Sequence, residues 1–144
     1  MNPKSKKSKE KQNIKIERTV VHKSYDELRL HSENQLYAGK YEIEITYSGK
    51  ITKNMDGIYP CFYEENGEEK KLIATQFESH HAREAFPCID EPEAKATFNV
   101  AITHSKNEIA LGNTPVMHTK VENSYMTTTF ETSPIMSTYL VAFI

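Results

Sequence analysis

Alternation of apolar and polar side chains, with a repeat of two residues, is the feature of this sequence that most restricts its fold. In residues 40–47, tyrosines and isoleucines alternate with glutamates and a threonine, so an extended segment would have one apolar and one acidic face. Residues 96–103 repeat the pattern, and residues 137–144 are almost continuously apolar, as in a strand buried on both faces. We predict no long helix and an all-β fold of about eight to ten strands, arranged as an antiparallel β-sandwich or saddle-like sheets.

Turn-forming residues divide the rest of the chain into shorter predicted strands. Asn66-Gly67 indicates a hairpin between strands at 57–63 and 71–77. Pro60 cannot donate a ladder hydrogen bond, so it places the first of these strands at an edge or a bulge. A second hairpin is predicted around Glu122-Asn123. The remaining predicted strands are 14–16, 19–21, 25–30, 108–113, 116–121 and 124–130.

The first twelve residues differ from the rest in composition. They contain five lysines and one glutamate and few apolar side chains, so they cannot bury enough surface to offset the entropy of ordering. We predict that residues 1–12 form a disordered basic tail and that residues 13–144 form one domain. The tail could tether the chain to an anionic surface or to nucleic acid. Its lysines are not interleaved with arginine or aromatic residues, however, which favours a solvated tail and no nucleic-acid partner.

The apolar runs and the cysteines indicate in which cellular compartment the protein works. The apolar runs are shorter than the roughly 20 residues that a membrane helix needs, and no hydrophobic segment follows the basic N-terminus as in a signal peptide. Cys61 and Cys88 form neither a metal pattern nor a disulfide framework. Lone thiols suit a reducing compartment, so we predict a cytoplasmic protein without a membrane partner. A disulfide between the two cysteines is the alternative.

Residues 74–98 combine closely spaced charges with two prolines that fix turns. Ser79 is a candidate N-cap for one helical turn over 80–85, which Pro87 would end. Three charged side chains are close enough in sequence to pair and to fix the shape of the loop: Arg83, Asp90 and Glu91. Three candidate core anchors lie among them: Phe86, Pro87 and Ile89. We therefore interpret the segment as a rigid loop.

This segment contains ordered motifs, namely Thr75-Gln76-Phe77-Glu78, Ala82-Arg83, Phe86-Pro87-Cys88-Ile89-Asp90-Glu91-Pro92 and Lys95-Ala96-Thr97-Phe98. Together they resemble a signature of zinc aminopeptidases of the aminopeptidase N type, with Ile89 where phenylalanine is commoner. Residues 57–63, 110–116 and 130–144 also resemble that family, although Pro60-Cys61 stands where Arg-Ser is usual. The resemblance covers about residues 35–144. The resemblance implies that this segment corresponds to the second part of the family's N-terminal β domain.

The resemblance implies catalysis by a zinc ion that polarises the scissile carbonyl. The family holds zinc with a His-Glu-x-x-His motif, and neither this motif nor the family's Gly-Ala-Met-Glu-Asn strand occurs in the sequence. The doublet His80-His81 is a weak metal candidate, because adjacent side chains on a turn diverge. Phosphate-binding loops and nucleophile elbows are also absent. We therefore expect no catalytic residue, metal site or cofactor in this chain, and zinc only in the complete enzyme.

The resemblance also implies a contact with substrate. In the family, the glutamine and glutamate of Thr-Gln-x-Glu reach towards the catalytic domain, and they correspond to Gln76 and Glu78 here. The glutamate helps to hold the peptide's α-ammonium, and the glutamine borders the first side-chain pocket. A carboxylate binds an ammonium group by a charge-assisted hydrogen bond. The alternative is that Glu78 simply pairs with Arg83 or with a local backbone N–H group.

Three hypotheses remain open. The first is a non-catalytic aminopeptidase β domain, whose partners are a peptide N-terminus and a separately encoded catalytic domain. The second is a free-standing β-sandwich module that binds peptides or a protein through the loop around Glu78. The third is a degraded gene product without function, with an apolar terminal strand that something would normally follow. Downstream DNA encoding the missing zinc motif would favour the first hypothesis.

The missing zinc motif leads to a direct prediction. Purified chain should bind no stoichiometric zinc and should not hydrolyse aminoacyl-naphthylamide reporters, because it lacks the ligands that hold the metal. Metal analysis after dialysis and a reporter assay with added zinc measure the two properties. Zinc-dependent hydrolysis that copurifies with the chain would contradict the first hypothesis.

Overall fold

The computed structural model describes residues 13–144, and the tail predicted for residues 1–12 lies outside this range. The chain divides into two units, of which the first ends at Glu44 and the second spans Ile45–Ile144. Each unit is considered by itself. The described part contains seven strands in three antiparallel sheets and three short 3₁₀ turns, which confirms the prediction of an all-β, antiparallel fold.

The described part of the first unit, residues 13–44, contains one hairpin. Strands β1 (Ile16–His22) and β2 (Glu27–Ser32) pair antiparallel and are joined by a 3₁₀ turn at Lys23–Tyr25. Asp26 follows the turn with φ of 51°, in the left-handed region that aspartate tolerates better than most residues. Strands were therefore correctly predicted in this region, but their bounds lie a few residues further along the chain.

The second unit begins with the hairpin predicted from Asn66-Gly67. Strands β3 (Gly57–Glu65) and β4 (Glu68–Gln76) pair antiparallel, and Asn66 and Gly67 have φ of 56° and 80°. Positive φ at both central residues is the requirement of the tight turn that suits strand twist. Pro60 lies opposite Ile73 in a two-stranded sheet, where β3 has a free edge. Both predictions are confirmed.

A three-stranded sheet follows in the order β5-β7-β6. It consists of β5 (Ala101–Ser105), β6 (Val116–Glu122) and β7 (Tyr125–Phe130), all antiparallel. The second predicted hairpin is confirmed, with Asn123 at φ of 57° in its turn. The strand predicted at 96–103 is confirmed only in its second half. Its first half contributes an isolated bridge between Ala96 and Met136.

The most strongly alternating segment, residues 40–47, does not form a strand, so this prediction was wrong. Its apolar side chains are exposed, with Ile43 at 67% and Tyr47 at 54%. Alternating apolar and polar side chains allow a strand to bury one face, but a strand also needs a partner for its backbone N–H and C=O groups. No strand of residues 13–144 pairs with this segment.

The apolar C-terminal segment is also not a strand, contrary to prediction. It forms a 3₁₀ turn at Thr138–Leu140 and an isolated bridge between Gly112 and Phe143. The strand predicted at 108–113 is not formed either, and Gly112 in this bridge is its only residue with β pairing. Leu140 and Ile144 are each 49% exposed, whereas Val141 is buried. The segment is therefore covered on only part of its surface.

The core of the second unit forms around Phe77, which is 2% exposed and packs with Ala82 and Val141. Its ring meets Phe86 and Phe143 edge-on, with centroid distances of 5.8 and 6.1 Å. Phe86 thus packs against the core as predicted. Pro87 and Ile89 are exposed, Ile89 at 70%, so their prediction as core anchors was wrong.

Replacing the central core residue should measure how much the second unit depends on it. Phe77→Ala removes a fully buried ring and should lower the free energy of unfolding by about 3–5 kcal/mol. Phe62→Ala is the matched control, because Phe62 is 61% exposed and its loss should cost under about 1 kcal/mol. Urea unfolding followed by circular dichroism measures both. Equal losses would contradict the assignment of Phe77 to the core.

Candidate functional site

The predicted substrate residues lie where β4 ends and the chain turns back. Phe77 is buried directly after β4, and its carbonyl accepts a hydrogen bond from the His81 N–H at 2.9 Å. The Glu78–Ser79 peptide within this turn is cis. A 3₁₀ turn at Ala82–Glu84 follows, and Ala82 is completely buried. The turn, residues 77–81, is thus held at both ends by the core.

Ser79 does not have the N-cap role predicted for it. Its hydroxyl is hydrogen-bonded to Nδ1 of His80 at 2.8 Å. The residue that precedes the 3₁₀ turn is His81, whose side chain makes no capping bond. The 3₁₀ turn at Ala82–Glu84 has only three residues, so few of its backbone N–H groups need a cap.

Gln76 and Glu78 are neighbours on the exposed side of the turn. The Gln76 side-chain amide lies 3.5 Å from the Glu78 carbonyl oxygen, at the long limit of a hydrogen bond. Within residues 13–144, the Glu78 carboxylate has no hydrogen-bond or ion-pair partner. The structure therefore does not show the alternative pairing of Glu78 with Arg83. The carboxylate is available to bind a cationic group.

Arg83 and Asp90 connect the two ends of the loop between them. The Asp90 carboxylate accepts bonds from the backbone N–H and the Nε of Arg83, both at 3.1 Å, and Nη2 of Arg83 donates to the Asp90 carbonyl at 3.0 Å. The Asp90 side chain is 3% exposed and that of Arg83 30%. Glu91 is exposed, and its carbonyl accepts the Ala94 N–H.

The C-terminal segment supplies further donors to this loop. The Thr138 hydroxyl donates to the Ile89 carbonyl at 2.9 Å, and the Ser137 hydroxyl donates to the Pro92 carbonyl at 2.7 Å. The Lys95 ammonium bonds both the Pro92 carbonyl and the Ser137 hydroxyl. Sequence reasoning missed the contacts that Ser137 and Thr138 make with the loop, because the residues they join lie more than forty positions apart and no local pattern indicates such contacts.

His81 also makes contacts that the sequence analysis did not predict. Its Nδ1 lies 2.8 Å from Oε1 of Glu84, and its Nε2 lies 3.7 Å from Oδ1 of Asp56. The hydrogen bond with Glu84 raises the pKa of His81 above 6.5, against the opposing effect of desolvation, and the charge of Asp56 adds to the rise. The ring of His80 stacks on that of His81 at 4.7 Å.

Both cysteines are free thiols, so the alternative of a disulfide between Cys61 and Cys88 is not what the structure shows. Burial raises the pKa of the Cys88 thiol to about 11, and the nearby Asp90 carboxylate adds to this effect while Arg83 opposes it. A thiol with such a pKa is almost entirely protonated at neutral pH and is a poor nucleophile.

The described residues do not fit a zinc ion. Nowhere in residues 13–144 do three histidine, cysteine, aspartate or glutamate side chains converge in a way that could hold a metal. Likewise, none of the helical segments in this range is long and apolar enough to cross a membrane. The chemistry that the site offers is an exposed carboxylate beside an amide, on a turn that the core holds in place.

The fold and the loop define an all-β domain that presents a charged turn from a hydrogen-bonded scaffold. Residues 2–140 match the family described as the Peptidase M1 N-terminal domain, and the chain belongs to this family. It is 54% identical over 108 residues to aminopeptidase N of Lactococcus lactis subsp. lactis, which covers 73% of this chain and 13% of the relative. It is 40% identical over 134 residues to aminopeptidase N of Bos taurus, covering 90% of this chain and 14% of the relative.

A plant relative matches a similar share of the chain. Aminopeptidase M1 of Arabidopsis thaliana is 42% identical over 102 residues, covering 71% of this chain and 12% of the relative. The chain thus spans roughly an eighth of the length of these curated relatives.

The Arg83–Asp90 contact gives a prediction about stability. Asp90→Asn removes the charge of a buried carboxylate that accepts two hydrogen bonds from Arg83, and should lower the free energy of unfolding by about 1–3 kcal/mol. Glu91→Gln is the matched control at the next position, where the side chain is exposed, and should change it by less than about 0.5 kcal/mol. Urea denaturation at pH 7 measures both. A loss for Asp90→Asn no larger than that of the control would show that the ion pair does not stabilise the loop.

Proposed function

We propose that this chain acts as the non-catalytic N-terminal β domain of a cytoplasmic zinc aminopeptidase that releases N-terminal amino acids from peptides. Its part would be to complete the pocket for the substrate's amino terminus, with Glu78 binding the α-ammonium and Gln76 bordering the first side-chain pocket. Zinc and the residues that activate water would be supplied by a catalytic domain outside this chain, which is its proposed partner.

The observation that carries the proposal is the state of Glu78. This carboxylate is exposed and has no partner among residues 13–144, although its turn is anchored by the buried residues Phe77 and Ala82. Fixed charge on a rigid support is what recognition of a small cation requires, since little entropy is lost when the ligand binds.

A chimera tests this function directly. The 108-residue segment of this chain that matches the Lactococcus lactis aminopeptidase N would replace the corresponding segment of that enzyme, and hydrolysis of an aminoacyl-naphthylamide would be measured. Glu78→Gln in the chimera should lower kcat/KM about 10- to 100-fold, because a hydrogen bond to a charged group contributes about 1.5–3 kcal/mol. Glu91→Gln, an exposed carboxylate of the same loop, is the control and should change kcat/KM less than about twofold.

Two outcomes would contradict the proposal. One is an active chimera in which Glu78→Gln behaves like the control, which would remove Glu78 from the substrate site. The other is an inactive chimera together with a purified chain that binds free-amine peptides, but not their N-acetylated forms, through Glu78. That second outcome would favour the alternative function, a free-standing peptide-binding module.

A further inference from the structure

The His81 imidazole joins two parts of the second unit that are far apart in sequence. Its Nδ1 lies 2.8 Å from the Glu84 carboxylate on the 3₁₀ turn, and its Nε2 lies 3.7 Å from the Asp56 carboxylate just before β3. Both ring nitrogens therefore face a carboxylate oxygen. A neutral imidazole carries one proton and can donate to only one of these carboxylates, whereas an imidazolium donates to one and attracts the other at the same time.

The Asp56 side of this contact is firmly held. The Thr52 hydroxyl lies 2.7 Å from the Asp56 carbonyl and 3.1 Å from the Ile58 carbonyl, and the Thr52 N–H donates to the Ile58 carbonyl at 2.8 Å. Gly57 has φ of 69°, and a Cβ there would lie 3.2 Å from Oε2 of Glu84. Glu84 thus packs directly on the start of β3, and a glycine at this position allows that approach.

The other side of the contact carries the proposed substrate residue. Residues 77–81 form one turn, closed by the bond from the His81 N–H to the Phe77 carbonyl at 2.9 Å. Phe77 fixes the first end of this turn in the core, while the side chain of His81 fixes the second end against Asp56 and Glu84. Glu78 lies between the two ends, so its position depends on both.

We propose that His81 is a positioning residue, a proton-dependent latch that holds the Glu78 turn against the start of β3 when its imidazole is charged. The assignment of a substrate to this turn rests on the proposed function, but the latch itself rests only on the geometry of the isolated chain. Loss of the proton removes the attraction to Asp56 and leaves a single hydrogen bond to Glu84. The turn is then held less tightly.

The other charged groups near His81 act in both directions. Asp90, from the far end of the loop, adds negative charge and favours the protonated ring, although Arg83 binds the Asp90 carboxylate and offsets part of it. His80 stacks on the ring and would repel it if both were charged. Because the pKa of His81 is raised in the folded chain, the latch contributes fully below about pH 6.5. Its contribution is lost as the pH rises through the folded-state pKa.

The test is an NMR titration of the full purified chain between pH 5 and 9. The imidazole carbon resonances of His81 should show a midpoint above 6.5, and the backbone amides of Glu78 and Ser79 should shift with the same midpoint. Glu84→Gln keeps the shape of the partner without its charge and should move the His81 midpoint downwards. Asp56→Asn should also lower the His81 midpoint, but by less, because Asp56 lies further from the ring.

Two control variants separate the proton from the packing. His81→Gln retains a neutral hydrogen-bonding side chain, so the amides of Glu78 and Ser79 should lose the midpoint seen in the wild type. His80→Gln removes the adjacent imidazole and should leave the midpoint of His81 above 6.5. The latch is overturned if His81 titrates at or below 6.5, or if the turn amides keep their midpoint in His81→Gln.

These results are independent of the proposed function, which the Glu78→Gln chimera decides. A confirmed titration with a chimera insensitive to Glu78 would keep the latch and reject the substrate contact. A failed titration with a Glu78-dependent chimera would reject the latch and keep the contact.

Discussion

The burial of the Phe77 ring is the interaction on which the rest of the second unit depends. The ring is enclosed by Ala82 from the following turn and by Val141 from the C-terminal segment. The end of β4 and the turn after it thus meet the C-terminal segment, which is more than fifty residues further along the chain, at one side chain. Since apolar burial is the main favourable term in folding, a small core of this kind concentrates stability at the point where β4 ends and the turn of residues 77–81 begins. The position of Glu78, the next residue, follows from that of Phe77.

Hydrogen bonding explains how an irregular loop stays ordered beside this core. Residues 85–95 lie outside the sheets, so their carbonyl groups need donors from elsewhere. Arg83 satisfies the Asp90 carbonyl and carboxylate, and Ser137 and Thr138 satisfy the carbonyls of Pro92 and Ile89. Every buried polar side-chain atom in the described range has a partner. The scaffold therefore satisfies its buried polar groups internally, and the exposed Glu78 carboxylate takes no part in these bonds.

The sequence predicts this fold well where the signal is local. Asn66-Gly67 prefers the left-handed backbone of a tight hairpin whatever surrounds it, so the β3–β4 hairpin could be predicted. Residues 40–47 show the limit of such reasoning, since their alternation is genuine but no described strand pairs with them. Ile89 is 70% exposed because the loop is held by polar bonds to its backbone rather than by burial of its side chain.

The site shows the same division between local and distant signals. Gln76 and Glu78 could be named from a sequence resemblance, but their exposure follows from how the turn is anchored. The contact of His81 with Asp56 spans the whole of the β3–β4 hairpin. No repeat or spacing in the sequence indicates it, because the register of the hairpin has to be formed before the two side chains can meet.

The worth of an exposed carboxylate as a recognition group depends on what covers it. A charge pair at about 4 Å contributes about 1 kcal/mol in water but about 4 kcal/mol where the effective dielectric constant falls to about 20. Glu78 in the isolated chain is in the first situation, so its binding of an ammonium group would be weak. A covering surface would strengthen the pair several-fold without any change in Glu78 itself, provided the turn does not move when it is covered. The burial of Phe77 and Ala82 at the two ends of the turn opposes such a movement, and the contacts of His81 add to this restraint when its ring is charged.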